Sequence, residues 1–186
     1  MDPARIARQL GLSLIESVVA LGVVVATVPV ALPALDDMIQ ASRLSAAQQD
    51  LLMDLHRART EAIKRNQRVA MCKSPDGWQC TRAGGWEQGW ILFHDEDNDG
   101  MVDAREEVLL RHEPLQPALR LRGNQSVAHY ISYTGLGESK LMGGAFQAGT
   151  LTLCRLSAGP TPSRQVILNA VGRPRTQKGT VASCTP

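Results

Sequence analysis

The sequence predicts an α+β protein: a long N-terminal helix, apolar enough in its first half to span a membrane, laid on a head of one or two antiparallel β-sheets. Three observations carry this. Residues 12–35 are apolar or small apart from Ser13, Ser17, Thr27 and a single charge, Glu16. Residues 36–66 then place Leu44, Gln48, Leu51, Leu55, Ala58 and Ala62 at three- and four-residue steps, with Ile39 and Ile63 nearby, which is the period of one helix face. Beyond Arg68 the chain breaks into short apolar runs separated by turns such as Gly84-Gly85, Gly143-Gly144 and Gly159-Pro160, the pattern of strands.

The N-terminal stretch is read first. Arg5 and Arg8 make residues 1–11 basic, and the apolar run that follows has 24 residues. As a helix it would reach about 36 Å at ~1.5 Å per residue, enough for a hydrocarbon core of ~30 Å. Arginines ahead of a span keep the leader in the cytoplasm and place the remainder outside. A secretory signal carries its small-residue cleavage site after the apolar run. Here the matching position is crowded by Pro29 and Pro33, and the small residue, Gly11, stands before it. A carboxylate inside a membrane helix is costly and marks function, which singles out Glu16.

The run Gly11-Leu12-Ser13-Leu14-Ile15-Glu16 resembles the prepilin peptidase site of type IV pilins and pseudopilins, with Leu where that family usually has Phe. The resemblance implies cleavage between Gly11 and Leu12 and N-methylation of Leu12. It also implies pairing of Glu16 with the free amine of a neighbouring subunit, and a helix that bends or melts near Pro33. The implied organisation is a leader (1–11), a transmembrane and assembly helix (12–35), an amphipathic helix packed on the head (36–67), and a periplasmic β-rich head (68–186). Asn66 is the expected helix stop. Expected strands cover 69–72, 90–93, 108–111, 119–122, 127–133, 150–154 and 165–169.

The head itself resembles the GspH/FimT branch of minor pilins. The matching pieces are a strand ending in Cys72, a loop with Cys80, and Gly89-Trp90-Ile91-Leu92-Phe93. An acidic turn, Glu107-Val108-Leu109-Leu110-Arg111 and a late Gly172-Arg173-Pro174-Arg175 follow. The resemblance implies a type IV pilin-like fold and assembly with other major and minor pilins. It implies prepilin peptidase and the inner membrane as further partners, and a protein that starts as a single-pass inner-membrane subunit of a Gram-negative bacterium and ends in an extracellular pilus. With the head outside the cytoplasm, the four cysteines suit disulfides. Three pairings are open to four cysteines; proximity and the family layout select Cys72–Cys80 and Cys154–Cys184.

Two charged segments are candidate sites. Asp95, Asp97, Asp99, Gly100, Met101 and Glu106 match the spacing of an EF-hand calcium loop, in which Met101 would give its carbonyl and Glu106 a bidentate carboxylate. The flanks read as strands rather than helices, so the alternative is an Asp/Asn/Gly hairpin turn with no metal. No cofactor is required by anything else in the chain. At the other end no acidic residue follows Lys140. Arg173 and Arg175, two apart around Pro174, would point to one side of an extended segment. Guanidinium groups suit phosphate. Gly172-Arg173-Pro174-Arg175 looks like the Gly-Arg-x-Arg motif by which FimT-type minor pilins bind DNA in natural transformation. That resemblance implies double-stranded DNA held at its phosphates by Arg173, Arg175 and Lys178; the alternative is a solvated turn or a contact with another pilin.

Catalysis is excluded as a reading. There is no G-x-S-x-G, H-E-x-x-H or phosphate loop, and His56, His94, His112 and His129 follow no metal-ligand spacing. The expected function is a minor pilin that aids pilus assembly and binds extracellular DNA for uptake. The alternative is a type II secretion pseudopilin that binds no DNA.

Overall fold

Ser13 opens the first element: its Oγ accepts the amide of Glu16 at 3.2 Å, the Ser half of a Ser-x-x-Glu capping box, and helix α1 (Leu14–Arg65) begins at the next residue. The computed structural model describes residues 13–185, with side chains throughout except at 24, 27–31, 33 and 34. The expected cleavage site, Gly11 and Leu12, lies outside the described residues. The chain divides into two compact units, Met1–Ala41 and Ser42–Pro186. In the first, the apolar side chains Leu14, Ile15, Val18, Val19, Leu21 and Val25 are exposed. The backbone stays helical past position 33, so the helix does not melt there; a proline removes one donor from the ladder, and the turns on either side carry the helix across. Among the described residues no helix is long and apolar enough to cross a membrane, and part of the expected 12–35 span lies outside the described side chains.

In the second unit, the helix buries Leu44, Ala47, Gln48, Leu51, Asp54, Leu55, Ala58 and Ala62. Its end is chemical rather than arbitrary. Asn66 turns left-handed at φ 51°, Gln67 N donates to Ala62 O and Asn66 N to Ile63 O, the paired bonds of a Schellman cap.

Eight strands follow: β1 (Val69–Lys73), β2 (Trp90–His94), β3 (Val108–His112), β4 (Leu119–Gly123), β5 (Tyr130–Tyr133), β6 (Gly149–Arg155), β7 (Thr161–Leu168) and β8 (Pro174–Val181). They form two four-stranded sheets, ordered β3-β2-β1-β5 and β4-β6-β7-β8, with every pairing antiparallel. Both sheets and α1 share one core: Leu51 and Leu55 meet Met71, Trp90 and Leu92 from one sheet and Leu121, Leu153 and Val166 from the other. Each such side chain, fully buried, contributes about 1.5–3 kcal/mol. Trp90 and Trp86 place their indole N–H groups on Asp54 Oδ2 and Val127 O, both at 2.9 Å. The strands β1 and β2 are buried on both faces, because Cys72, Ile91 and Phe93 pack outward beneath Cys80, Val102 and Val108.

Two expected elements change. Of 127–133 only Tyr130–Tyr133 is strand, and Gln125–Val127 is a 3₁₀ turn, since Val127 is drawn into the core and its carbonyl is taken by Trp86. The basic C-terminal segment, outside the expected strands, is itself one: Pro174–Val181 is β8, an edge strand paired along the whole of β7. Proline signalled loops here, but Pro174 opens an edge strand and Pro162 lies beyond the last β6 pair, Cys154–Ser163, positions where no ladder amide is needed.

Candidate functional site

The β7–β8 turn is built around Asn169. Its backbone oxygen accepts Gly172 N at 2.9 Å and Ser139 Oγ at 3.0 Å, and its Oδ1 accepts Arg173 N at 2.8 Å. Gly172, at φ 76°, is pressed so closely on Gly137 O that a Cβ would collide with it; only glycine meets both demands. Gly137 O in turn accepts Arg59 Nε at 2.9 Å, so α1 holds the turn that supports the hairpin.

This scaffold sets the arginines. Pro174 is buried, and Arg173 and Arg175 on either side of it are exposed. Among the described residues neither has a carboxylate partner, and Glu138 on the adjoining turn is held by Lys140 at 3.1 Å. Opposed residues of antiparallel strands share a face. Arg175 is paired with Ile167 and that with Thr150; Gln177 lies in a row with Gln165, Thr152 and Arg122. Arg175 and Arg122 therefore mark the two edges of one face with no acidic side chain on its strands, about 15 Å apart at ~4.8 Å per strand spacing. Lys178 does not join them. It is paired with Arg164 and, three residues from Arg175, points to the opposite side of β8. Sequence grouping put Lys178 with the arginines because a tail has no register, whereas a strand does.

Arg122 was missed by sequence reasoning; the Leu119-Arg120-Leu121-Arg122 alternation held the signal, since Leu119 and Leu121 are buried. Arg120 and Arg122 also line a groove of about 540 Å³ with Lys73, Arg82, His129 and Glu87. Lys73 is buried there, its Nζ donating to Arg82 O and Gly84 O at 2.9 and 2.7 Å, and burial pulls its pKa down. Burial first, then the charges of Lys73 and Arg82, lower His129.

The acidic loop between β2 and β3 is differently made. Asp95, Asp97 and Asp99 bring carboxylate oxygens within 4.8 Å of one another. Asp95 is 1% exposed; its Oδ1 accepts Asp99 N at 3.1 Å and Gly100 N at 3.5 Å, and Gly100 is left-handed at φ 69°. Glu106 is not in that cluster. Its carboxylate accepts Glu96 N at 2.8 Å and Asp103 N at 3.1 Å, closing the loop instead. Met101 enters through its amide, which donates to Asp99 Oδ1 at 2.6 Å.

Disulfides Cys72–Cys80 and Cys154–Cys184 bracket the two segments: Cys80 Sγ accepts Val102 N at 3.3 Å within the acidic loop, and Cys184 ties the end of β8 to β6. Glu16 is exposed in the first turn of α1, where a carboxylate also favours the helix dipole.

Residues 47–172 match the family model described as type II transport protein GspH. No curated protein sequence matches the chain. Among solved structures, type IV minor pilin FimU of Pseudomonas aeruginosa is similar at a TM-score of 0.55 and 17% identity, over 78% of this chain and 97% of that one. The minor pseudopilin EpsH of the type 2 secretion system of Vibrio cholerae aligns at a TM-score of 0.44 and 12% identity, over 75% and 97%.

Proposed function

The chain belongs to the GspH family, and from that premise we propose that it is a minor pilin which binds the phosphate backbone of DNA through Arg173 and Arg175. The observation that carries the reading is the β7–β8 hairpin: two exposed guanidinium groups without carboxylate partners among the described residues, held by a turn that Asn169 closes on Gly172 N and Arg173 N and that Ser139 Oγ braces from outside. Preorganised donors lose less freedom on binding, and phosphate contacts carry little sequence information. Arg122, on the same face, extends the footprint. In this reading the leader is removed after Gly11, Leu12 is methylated, the exposed apolar side chains of 14–25 face first the inner membrane and then neighbouring pilins, and the head is periplasmic before assembly into the pilus. Glu16 pairs with the amine of the adjacent subunit.

The test is binding of a labelled duplex by the full chain in detergent micelles over a salt series. The expected result is salt-sensitive binding with little sequence preference, lost at least tenfold in Arg173→Ala/Arg175→Ala. The log–log salt slope should flatten by about 2, at ~0.9 per phosphate contact. Lys178→Ala, on the other side of β8, should change affinity less than either arginine. Absence of binding at low salt, or an unaffected double variant, refutes the DNA reading. The second reading, a pseudopilin of a type II secretion system, is favoured by the description of the matching family model; deletion would then abolish protein secretion and leave transformation intact.

A further inference from the structure

We propose that the β2–β3 loop is a calcium-class cation site with Asp95, Asp97 and Asp99 as its carboxylate ligands, independent of any DNA binding. The carrying observation is the buried half of Asp95. Its Oδ1 is occupied by loop amides, but Oδ2, in a side chain only 1% exposed, has no hydrogen-bond partner. Such an oxygen is satisfied by a cation or by a proton, and the two further carboxylates beside it favour the cation. The Arg68 charge acts on Asp95 from a distance but supplies no hydrogen bond to Oδ2; its Nη1 donates to Ser132 Oγ at 2.8 Å and Lys140 O at 3.4 Å. The remaining cations of the segment are also committed, Arg105 to Asp103 at 2.9 Å and Arg65 to Glu107 at 2.6 Å.

The size is right for the ion. Oxygens bound to one calcium lie no more than about 4.8 Å apart, twice a contact of ~2.4 Å, and its flexible coordination accepts irregular ligand sets that magnesium's near-ideal octahedron does not. The three carboxylates already lie within 4.8 Å of each other. Asp97 and Asp99 are exposed, so carboxylates and water together can fill the six to eight oxygen positions that calcium takes. The ligand set differs from that of an EF-hand in one respect: Glu106 is used to close the loop. Binding would also fix a second segment, because Asn98 Nδ2 donates to Met142 O at 3.1 Å and Met142 N to Tyr130 Oη at 3.1 Å.

The experiment is calorimetric titration of the full chain in detergent micelles with CaCl2 after EGTA treatment, paired with thermal melting in CaCl2, MgCl2 or EGTA. A Kd on the order of 10⁻⁴–10⁻³ M, the range of extracellular modules, is expected. A melting temperature raised by calcium and less by equal magnesium should accompany it. Asp97→Asn, at an exposed position that leaves the Asp95 bonds in place, should weaken binding at least tenfold while its EGTA melting temperature stays within a degree or two of wild type. No heat and no calcium shift in the wild type overturns the proposal. So does equal stabilisation by magnesium, or undiminished binding by Asp97→Asn/Asp99→Asn.

Discussion

The acidic β2–β3 loop and the basic β7–β8 hairpin are both strand connections dominated by one sign of charge, yet they are built to opposite ends. In the first, the oxygens of three aspartates converge and one carboxylate is buried among backbone amides. In the second, Arg173 and Arg175 stand exposed on either side of a buried proline, and among the described residues no carboxylate pairs with them. Converging like charges repel more strongly as the separation and the local dielectric fall, and a compact counter-ion between them relieves that repulsion. Exposed like charges without local partners on a stiff frame suit an extended polyanion. The difference lies in which way the backbone turns the side chains, not in the amount of charge.

Each region has its own staple, so the largest test of the comparison is to remove one at a time. In the chain-entropy model Cys154→Ser/Cys184→Ser, which opens a separation of 30 residues, should cost roughly 3.5 kcal/mol. Cys72→Ser/Cys80→Ser, which opens a separation of 8, should cost roughly 2.5 kcal/mol. Denaturant titration measures both. The first pair should also weaken DNA binding by loosening β8 and leave a calcium response intact; the second should do the reverse, through the bond from Val102 to Cys80. Equal losses of both responses in either variant would mean that the two regions are one cooperative unit.

Next in size is the glycine at each turn. Gly172→Ala must adopt a left-handed backbone and collide with the Gly137 carbonyl, a rigid obstacle. A cost of about 2–3 kcal/mol is expected, with DNA affinity falling alongside. Gly100→Ala pays the same backbone penalty, but its Cβ meets Met142 Cε and the Tyr130 ring at 3.2 Å; the methionine end can move, and about 1 kcal/mol is expected. Thermal melting of both variants ranks them, and a larger loss at Gly100 would contradict the picture of a rigid hairpin and a more yielding loop.

What was legible in the sequence follows from what each signal encodes. The helix face from Leu44 to Ala62 was readable because its period is local, and Asn66 because a left-handed cap suits few residues. The aspartate spacing was readable for the same reason, but the role of Glu106 was not: whether a carboxylate ligates or caps two amides depends on the loop path. β8 was hidden by Pro174 and by a polar run, Arg175-Thr176-Gln177-Lys178, that shows no alternation because an edge strand with few core contacts needs none. With β8 went the register, and with the register the separation of Lys178 from Arg175 and the link from Arg175 to Arg122. Asp54 was passed over because a charged residue on an amphipathic helix ordinarily lies on its polar face.

Asp54 supplies the smallest and sharpest test, since it is a second buried carboxylate that has found a partner inside the protein. It is 8% exposed and accepts Trp90 Nε1 at 2.9 Å. Burial raises its pKa, opposed by the Trp90 hydrogen bond and by the charges of His112 and Arg57. A carboxyl whose folded pKa lies above its unfolded value binds its proton more tightly in the folded state. It therefore costs stability above the folded pKa, and that cost disappears as pH falls below the unfolded value of 3.8. Asp54→Asn keeps an acceptor for Trp90 and removes the charge. It should be slightly more stable than wild type at neutral pH, with the difference closing below that value. Asp54→Ala strands the indole N–H and should cost about 1–3 kcal/mol. Melting curves at pH 3 and pH 7, and with and without calcium at pH 7, decide it: Asp54 variants should shift with pH and keep the calcium response, whereas Asp97→Asn should lose that response. A calcium response that vanished in Asp54→Asn would show that the aspartate cluster is not where the ion acts.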